Sequence, residues 1–173
     1  KIIEYRVSEK YGDLANCSIA DFVDELSTNS PAPGGGSVSA LAGSLAAGLS
    51  AMVGNLTVGK KGFESSKAEM NSLAIEGQQL KDKLIKLIDD DTNSFNRVID
   101  AMRLPKNTDD EIKFRHLTIQ EAIKIATYSP LSILEACAAV MPLAKLAANE
   151  GNPNSISDAG VAAEMAHAGA QGG

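Results

Sequence analysis

An uncharged stretch runs from Thr28 to Gly59, built largely of glycine, alanine and serine. With its flanks it reads PAPGGGSVSALAGSLAAGLSAMVGNLTVGKKGFE over residues 31–64. A Pro/Gly turn (Pro31, Pro33, Gly34, Gly35, Gly36) leads into a helix for which Ser37 is the expected N-cap. A membrane span has this length, but large apolar side chains such as Leu41, Leu45, Leu49, Met52 and Leu56 are thinly spread among small ones. Gly43, Ala47 and Ala51 recur at helical spacing, which lets a second helix approach closely. The stretch therefore predicts a buried central helix. Three successive glycines also leave bare amides at its start, where an anion or a polar ring can sit. The same pattern serves equally as a plain turn.

The remaining composition fits that core. At 173 residues with 44% hydrophobic content, the chain is long enough for one globular domain, taken as residues 1–173. A net charge of −6 argues against a nucleic-acid partner, and the absence of tryptophan argues against base-stacking platforms. Cys17 and Cys137 have no metal-ligand spacing, and Cys137 lies in an apolar run as a small core residue. The N-terminal KIIEYRVSEKYG lacks the apolar centre of a signal peptide, so the expected location is cytoplasmic, with no membrane partner.

Helical punctuation fills the rest. Ser18 and Asp21 mark a capped start before Phe22, Val23 and Leu26. The small-residue helix spans about 37–57. A long helix follows over about 65–103, its apolar positions from Met70 to Met102 spaced by three, four and seven. Pro105 stops it. Thr108 and Glu111 form a capping box for a helix to about Tyr128. Ser129-Pro130 caps the next helix, and Pro142 should kink it near Ala138. The polar loop GNPNSIS precedes a last helix capped by Ser157 and starting at Asp158. No strand-length alternation occurs. The fold class read from the chain is an all-α, single-domain bundle with a long central helix and a buried small-residue helix.

Periodicity singles out one acid. Asp91 lies four residues after Leu87 and four before Phe95, on the apolar stripe, whereas Asp89 and Asp90 project elsewhere. A carboxylate there is costly unless paired or hydrogen-bonded. A lysine or a helix N-terminus could answer it structurally. Asp158 could simply complement a helix dipole.

Five motifs in order carry a resemblance: PAPGGGS at 31–37, NLTVGKKGFE at 55–64, DTNSF at 91–95, LPKNT at 104–108 and GNPNSISD at 151–158. The chain resembles the formiminotetrahydrofolate cyclodeaminase family from about Ile19 to Gly172. That family includes the cyclodeaminase half of the bifunctional formiminotransferase-cyclodeaminase, and methenyltetrahydrofolate cyclohydrolases and "serine cycle" enzymes. The resemblance implies an all-helical homodimer that takes a tetrahydrofolate derivative as substrate, with no prosthetic group and no metal. It implies conversion of 5-formiminotetrahydrofolate to 5,10-methenyltetrahydrofolate and ammonia, or alternatively interconversion of methenyl- and 10-formyltetrahydrofolate. It also implies a further C-terminal stretch, aromatic and Asn-rich, beyond the GAQGG at which this sequence stops.

The residue types suit that chemistry. N10 attacks the formimino carbon on N5, and ammonia must leave, which asks for a base near N10 and an acid near the departing nitrogen. A carboxyl in a partly apolar site can serve, because burial favours its neutral form. Asp91 is the first candidate and Asp158 the second, with Lys61 or Lys106 as proton donor or charge partner. One of the two acids could instead hold the pterin edge, whose adjacent N–H groups a carboxylate accepts in pairs. Lys60, Lys61 or Arg97 suits the anionic glutamate tail, expected to be polyglutamylated. Pro33, Gly34, Gly35, Gly36 and Ser37 could meet the flat ring, and Asn152 and Asn154 are polar candidates before the last helix. His116 and His167 fall in no matched motif. A folate carrier or a helical scaffold without turnover is the non-enzymatic alternative, and it predicts binding without turnover or no folate binding at all.

Overall fold

The computed structural model describes residues 11–173; the reading made of residues 1–10 lies outside them. The described residues form helices and no strand: α1 (Asp13–Asn16), α2 (Ile19–Leu26), α3 (Gly35–Thr57), α4 (Lys67–Arg103), α5 (Asp109–Ala126), α6 (Tyr128–Glu150), a 3-10 turn (Pro153–Ser155) and α7 (Ile156–Gly172). This is the all-α architecture expected from the sequence.

The small-residue helix α3 is the axis of the molecule, packed against α4, α6 and α7 and open along the face that carries Leu45, Met52 and Leu56. By length and composition it could cross a membrane, as could the span Asp109–Glu150, but here its small side chains serve close packing. Gly77 of α4 lies so near α3 that a Cβ there would meet the Ala47 carbonyl at 3.0 Å. Gly43 likewise leaves room for the Cys137 sulfur. Two buried hydroxyls deep in α3 satisfy themselves on their own helix: Ser50 donates to the Ala46 carbonyl at 3.0 Å and Thr57 to that of Val53 at 2.7 Å. Larger groups fill the spaces between helices, with Met70, Leu73, Leu84, Ile133, Val53 and Val140 fully enclosed, each worth about 1.5–3 kcal/mol of burial.

Contacts fix the directions. Along α4, Gly77, Leu84 and Asp91 meet Ala47, Gly43 and Gly36 in turn, so α4 runs antiparallel to α3. On α6 Cys137 meets Gly43, and Gly151 at its C-terminal cap meets Val53, so α6 runs parallel to α3. On α7, Gly169 meets Gly43 and Gly172 meets Ser39, so α7 runs antiparallel again. At 37 residues α4 outruns the bundle. Beyond Asp91 it projects about 18 Å to Arg103, and α5 packs back along this projection. There Arg115 donates to the Met102 carbonyl at 2.9 and 3.2 Å.

Two caps are as expected. Ser18 accepts from the Asp21 amide, and Thr108 with Glu111 forms a complete capping box. Three differ. Gly34, not Ser37, is the N-cap of α3; the helix starts as soon as the turn allows, and Ser37 lies inside its first turn. Ser129 caps nothing: α6 already begins at Tyr128, and the side chain is buried. Ser157 lies within α7, which the 3-10 turn starts early at Ile156, so Asp158 is third in the helix rather than first. Pro142 sits inside an α6 that continues to Glu150.

Candidate functional site

Asp91 lies against the start of α3. Its carboxylate occupies the space a side chain at Gly36 would need, so only glycine admits the contact. The side chain is partly buried. Of the two neighbours considered from the sequence, a lysine or a helix N-terminus, the structure places the start of α3 beside Asp91, where the helix dipole favours a negative group. The Ser37 hydroxyl, fully buried, lies 3.2 Å from Asp91 Oδ2, 2.9 Å from the Ile88 carbonyl and 3.1 Å from Thr92 Oγ1. Ser94 donates to the Asp91 carbonyl at 2.8 Å. Pro33 is buried after a cis peptide bond from Ala32, and Gly35 is exposed at the lip. Pro33, Gly34, Gly35, Gly36, Ser37 and Asp91 therefore form one constellation.

The other candidates lie elsewhere. Lys60 and Lys61 are exposed on a turn after α3, flanked by Gly59 and Gly62 with φ of 81° and 92°. Glu64 closes this turn by accepting from the Gly62 amide at 3.0 and 3.1 Å. That amide and its own hold the Glu64 carboxyl below the usual carboxylate range. Asn152 is engaged structurally: its amide donates to Thr57 Oγ1 at 2.9 Å, and its Oδ1 accepts from the Asn154 amide at 3.2 Å. Asn154 is exposed, and Asp158 is partly buried one turn on. All five belong to the C-terminal end of α3. The 23 residues of α3 put that end about 33 Å from Asp91. Lys106 is exposed at the tip of the α4–α5 projection, beyond the about 18 Å that separates Asp91 from Arg103. Within one chain, Asp91 is thus separated from Asp158, Lys60, Lys61 and Lys106.

Sequence reasoning passed over three features. Thr92, inside the quoted DTNSF, completes the hydroxyl cluster around Asp91. Asp89 is not idle: it accepts from the Leu14 and Ala15 amides at 3.0 and 3.1 Å and so caps α1 from another helix. An apolar groove of about 470 Å³ opens between α2, α3 and α4, lined by Ile19, Val23, Leu45, Leu49 and Met52, with Lys81 at its side. The four-residue and three-residue spacing of Leu41, Leu45, Leu49 and Met52 was its signal. Among the described residues no group of three His, Cys, Asp or Glu side chains is placed to hold a metal.

Fold and site together define a class: an all-helical protein that presents a carboxylate beside a glycine-rich helix start. The chain belongs to the formiminotransferase-cyclodeaminase family, whose model matches residues 18–173. It is 43% identical over 154 residues to a methenyltetrahydrofolate cyclohydrolase of Methylorubrum extorquens, covering 89% of this chain and 74% of the relative. It is 34% identical over 174 residues to the mouse formimidoyltransferase-cyclodeaminase, covering 99% of this chain but 32% of that protein. The crystal structure of a formiminotetrahydrofolate cyclodeaminase from Thermotoga maritima superposes with a TM-score of 0.80 at 29% identity, over 92% of this chain and 76% of that one.

Proposed function

We propose that this chain is a folate-dependent one-carbon enzyme that closes or opens the methenyl bridge between N5 and N10 of tetrahydrofolate, with Asp91 as its proton-transfer group. The observation that carries this is the Asp91 carboxylate, held against Gly36 and within reach of Ser37. In the closing direction N10 attacks the formimino carbon and loses its proton, while the departing nitrogen gains protons and leaves as ammonia. One carboxyl that takes a proton from N10 and returns it to that nitrogen serves both steps. The alternative is hydrolytic opening of 5,10-methenyltetrahydrofolate to the 10-formyl compound. The 43% identity to the cyclohydrolase, against 29% to the cyclodeaminase structure, favours it. There the carboxylate takes a proton from the attacking water and N5 receives one as its bond to the bridge carbon breaks.

The separation of candidates supports a homodimer. α3 exposes Leu45, Met52 and Leu56 at 50%, 36% and 51%, beside Ile19 and Val23 of α2. A second copy packed antiparallel on this face would bury it. The Lys60–Lys61 turn and Asp158 of one copy would then come to the Asp91 end of the other, basic against acidic. Lys60 and Lys61 would receive the glutamate tail, and Asp158 would be free to hold the pterin.

A paired assay tests the function. Ammonia release coupled to the methenyl chromophore from 5-formiminotetrahydrofolate is the expected result for the cyclodeaminase. Hydrolysis of methenyltetrahydrofolate above the uncatalysed rate, without ammonia release from the formimino compound, would make it the cyclohydrolase. Folate binding with neither reaction would overturn the enzyme reading in favour of a carrier.

A further inference from the structure

The hydroxyl of Ser37 has one proton and more than one acceptor. The Ile88 carbonyl at 2.9 Å and Asp91 Oδ2 at 3.2 Å compete for it, and Thr92 Oγ1 at 3.1 Å can donate to Ser37 or accept from it. The Ile88 carbonyl belongs to the hydrogen-bond ladder of α4, so it tolerates losing this second donor. Two arrangements therefore fit the same heavy-atom positions. With Asp91 ionised, Ser37 donates to Oδ2 while Thr92 donates to Ser37. With Asp91 protonated, the acid donates to Ser37, and the Ser37 proton turns to the Ile88 carbonyl. No side chain needs to move between them. Gly36 supports both, because a Cβ there would occupy the carboxyl's place.

We propose that Ser37 is a positioning residue that keeps the Asp91 carboxyl in one place through both of its protonation states, so that the group which takes a proton can return it without reorienting. This rests on the reading of Asp91 given above. It reassigns Ser37, whose buried hydroxyl faces Asp91, from a substrate contact to a support for the reacting group. The proton count closes within the cluster: the proton Asp91 accepts from the substrate leaves again to the substrate, and the Ser37 and Thr92 protons only rotate.

The test is steady-state turnover of Ser37→Ala beside the unmodified chain, with the folate substrate that chain turns over. For a group acting only through the reacting carboxyl, kcat falls at least about tenfold while KM changes by less than about threefold. The melting temperature stays within a few degrees, because Asp91 can turn to water. Gly36→Ala is the second variant. The new methyl meets only the end of a mobile side chain, so the protein folds with the carboxyl displaced, and kcat again falls with KM nearly held. An unchanged kcat in both variants would overturn the proposal, and so would a raised KM with kcat retained, which would make Ser37 a substrate contact. Asp91→Asn separates the two levels. If it retains full turnover, the reading of Asp91 fails. If it is inactive while Ser37→Ala and Gly36→Ala are normal, only the present inference fails.

Discussion

At the residue scale the proposed function turns on Asp91. Asparagine occupies the same room against Gly36 but cannot carry the proton. Asp91→Asn should therefore lower kcat by about 10²–10⁴-fold, with a melting temperature within a few degrees of the parent and folate binding retained. Unfolding of the variant, measured by circular dichroism, would instead make the residue structural. The position of Asp91 was legible in part because periodicity is a local property: it follows buried Leu87 by one turn, although Phe95, one turn further on, is exposed where α4 leaves the bundle. The partner of Asp91 was not legible. Three glycines in a row offer several helix starts of similar cost, and choosing the latest put Ser37 outside the helix as a cap, whereas it lies inside and faces Asp91. Asp89 was hidden for a related reason. It holds amides 75 positions away, and nothing in the local pattern of α4 announces a contact so distant. Removing it with Asp89→Ala should loosen α1 at a cost of about 0.5–2 kcal/mol, read as faster hydrogen exchange at Leu14 and Ala15 with α3 unaffected.

At the element scale the working part is α3, whose smallness is its function. Gly43→Ala would drive a methyl into the Cys137 sulfur and should cost about 1–3 kcal/mol in chemical denaturation. Cys137→Ala in the same chain should recover part of that loss, and simple additivity of the two losses would disprove the contact. Cys137 also has a pH signature. Burial pushes its thiol up to about 11, above the value of the unfolded chain. The contribution is therefore fully present below about pH 8.5 and is lost as pH rises, because the unfolded state gives up its proton first. Between about pH 9 and 11 the parent should lose more stability than Cys137→Ala. Small residues at helical spacing announced α3 and its close packing directly. Helix ends were less legible: Ser129 and Ser157 look like caps, but tertiary packing and the 3-10 turn start α6 and α7 earlier than side-chain preference does.

At the scale of the whole molecule, the direction of each helix matters more than its identity. The motifs at 31–37 and 55–64 were legible as the two ends of α3, but nothing in the sequence said which end the motifs at 91–95 and 151–158 would join. Packing partners assign them, Gly36 with Asp91 at one end and Asn152 with Thr57 at the other, and so set Asp91 apart from Asp158. If a second copy closes that separation, two variants disabled at opposite ends should complement each other. Asp91→Asn keeps the Lys60–Lys61 turn and Asp158 intact, while a chain carrying Lys61→Ala and Asp158→Asn keeps Asp91. After the two inactive proteins are mixed, unfolded and refolded together, half of the dimers are mixed, and each holds one site with both ends unmodified. Activity should return to roughly a quarter of the parent level. Leu45→Glu, placed in the middle of the exposed face of α3, should abolish this recovery and sediment as a monomer. No recovery from a mixture that demonstrably forms mixed dimers would mean that each chain works from its Asp91 end alone. The loop at the far end of α3 would then owe its form to Asn152 and Thr57, which already tie it down.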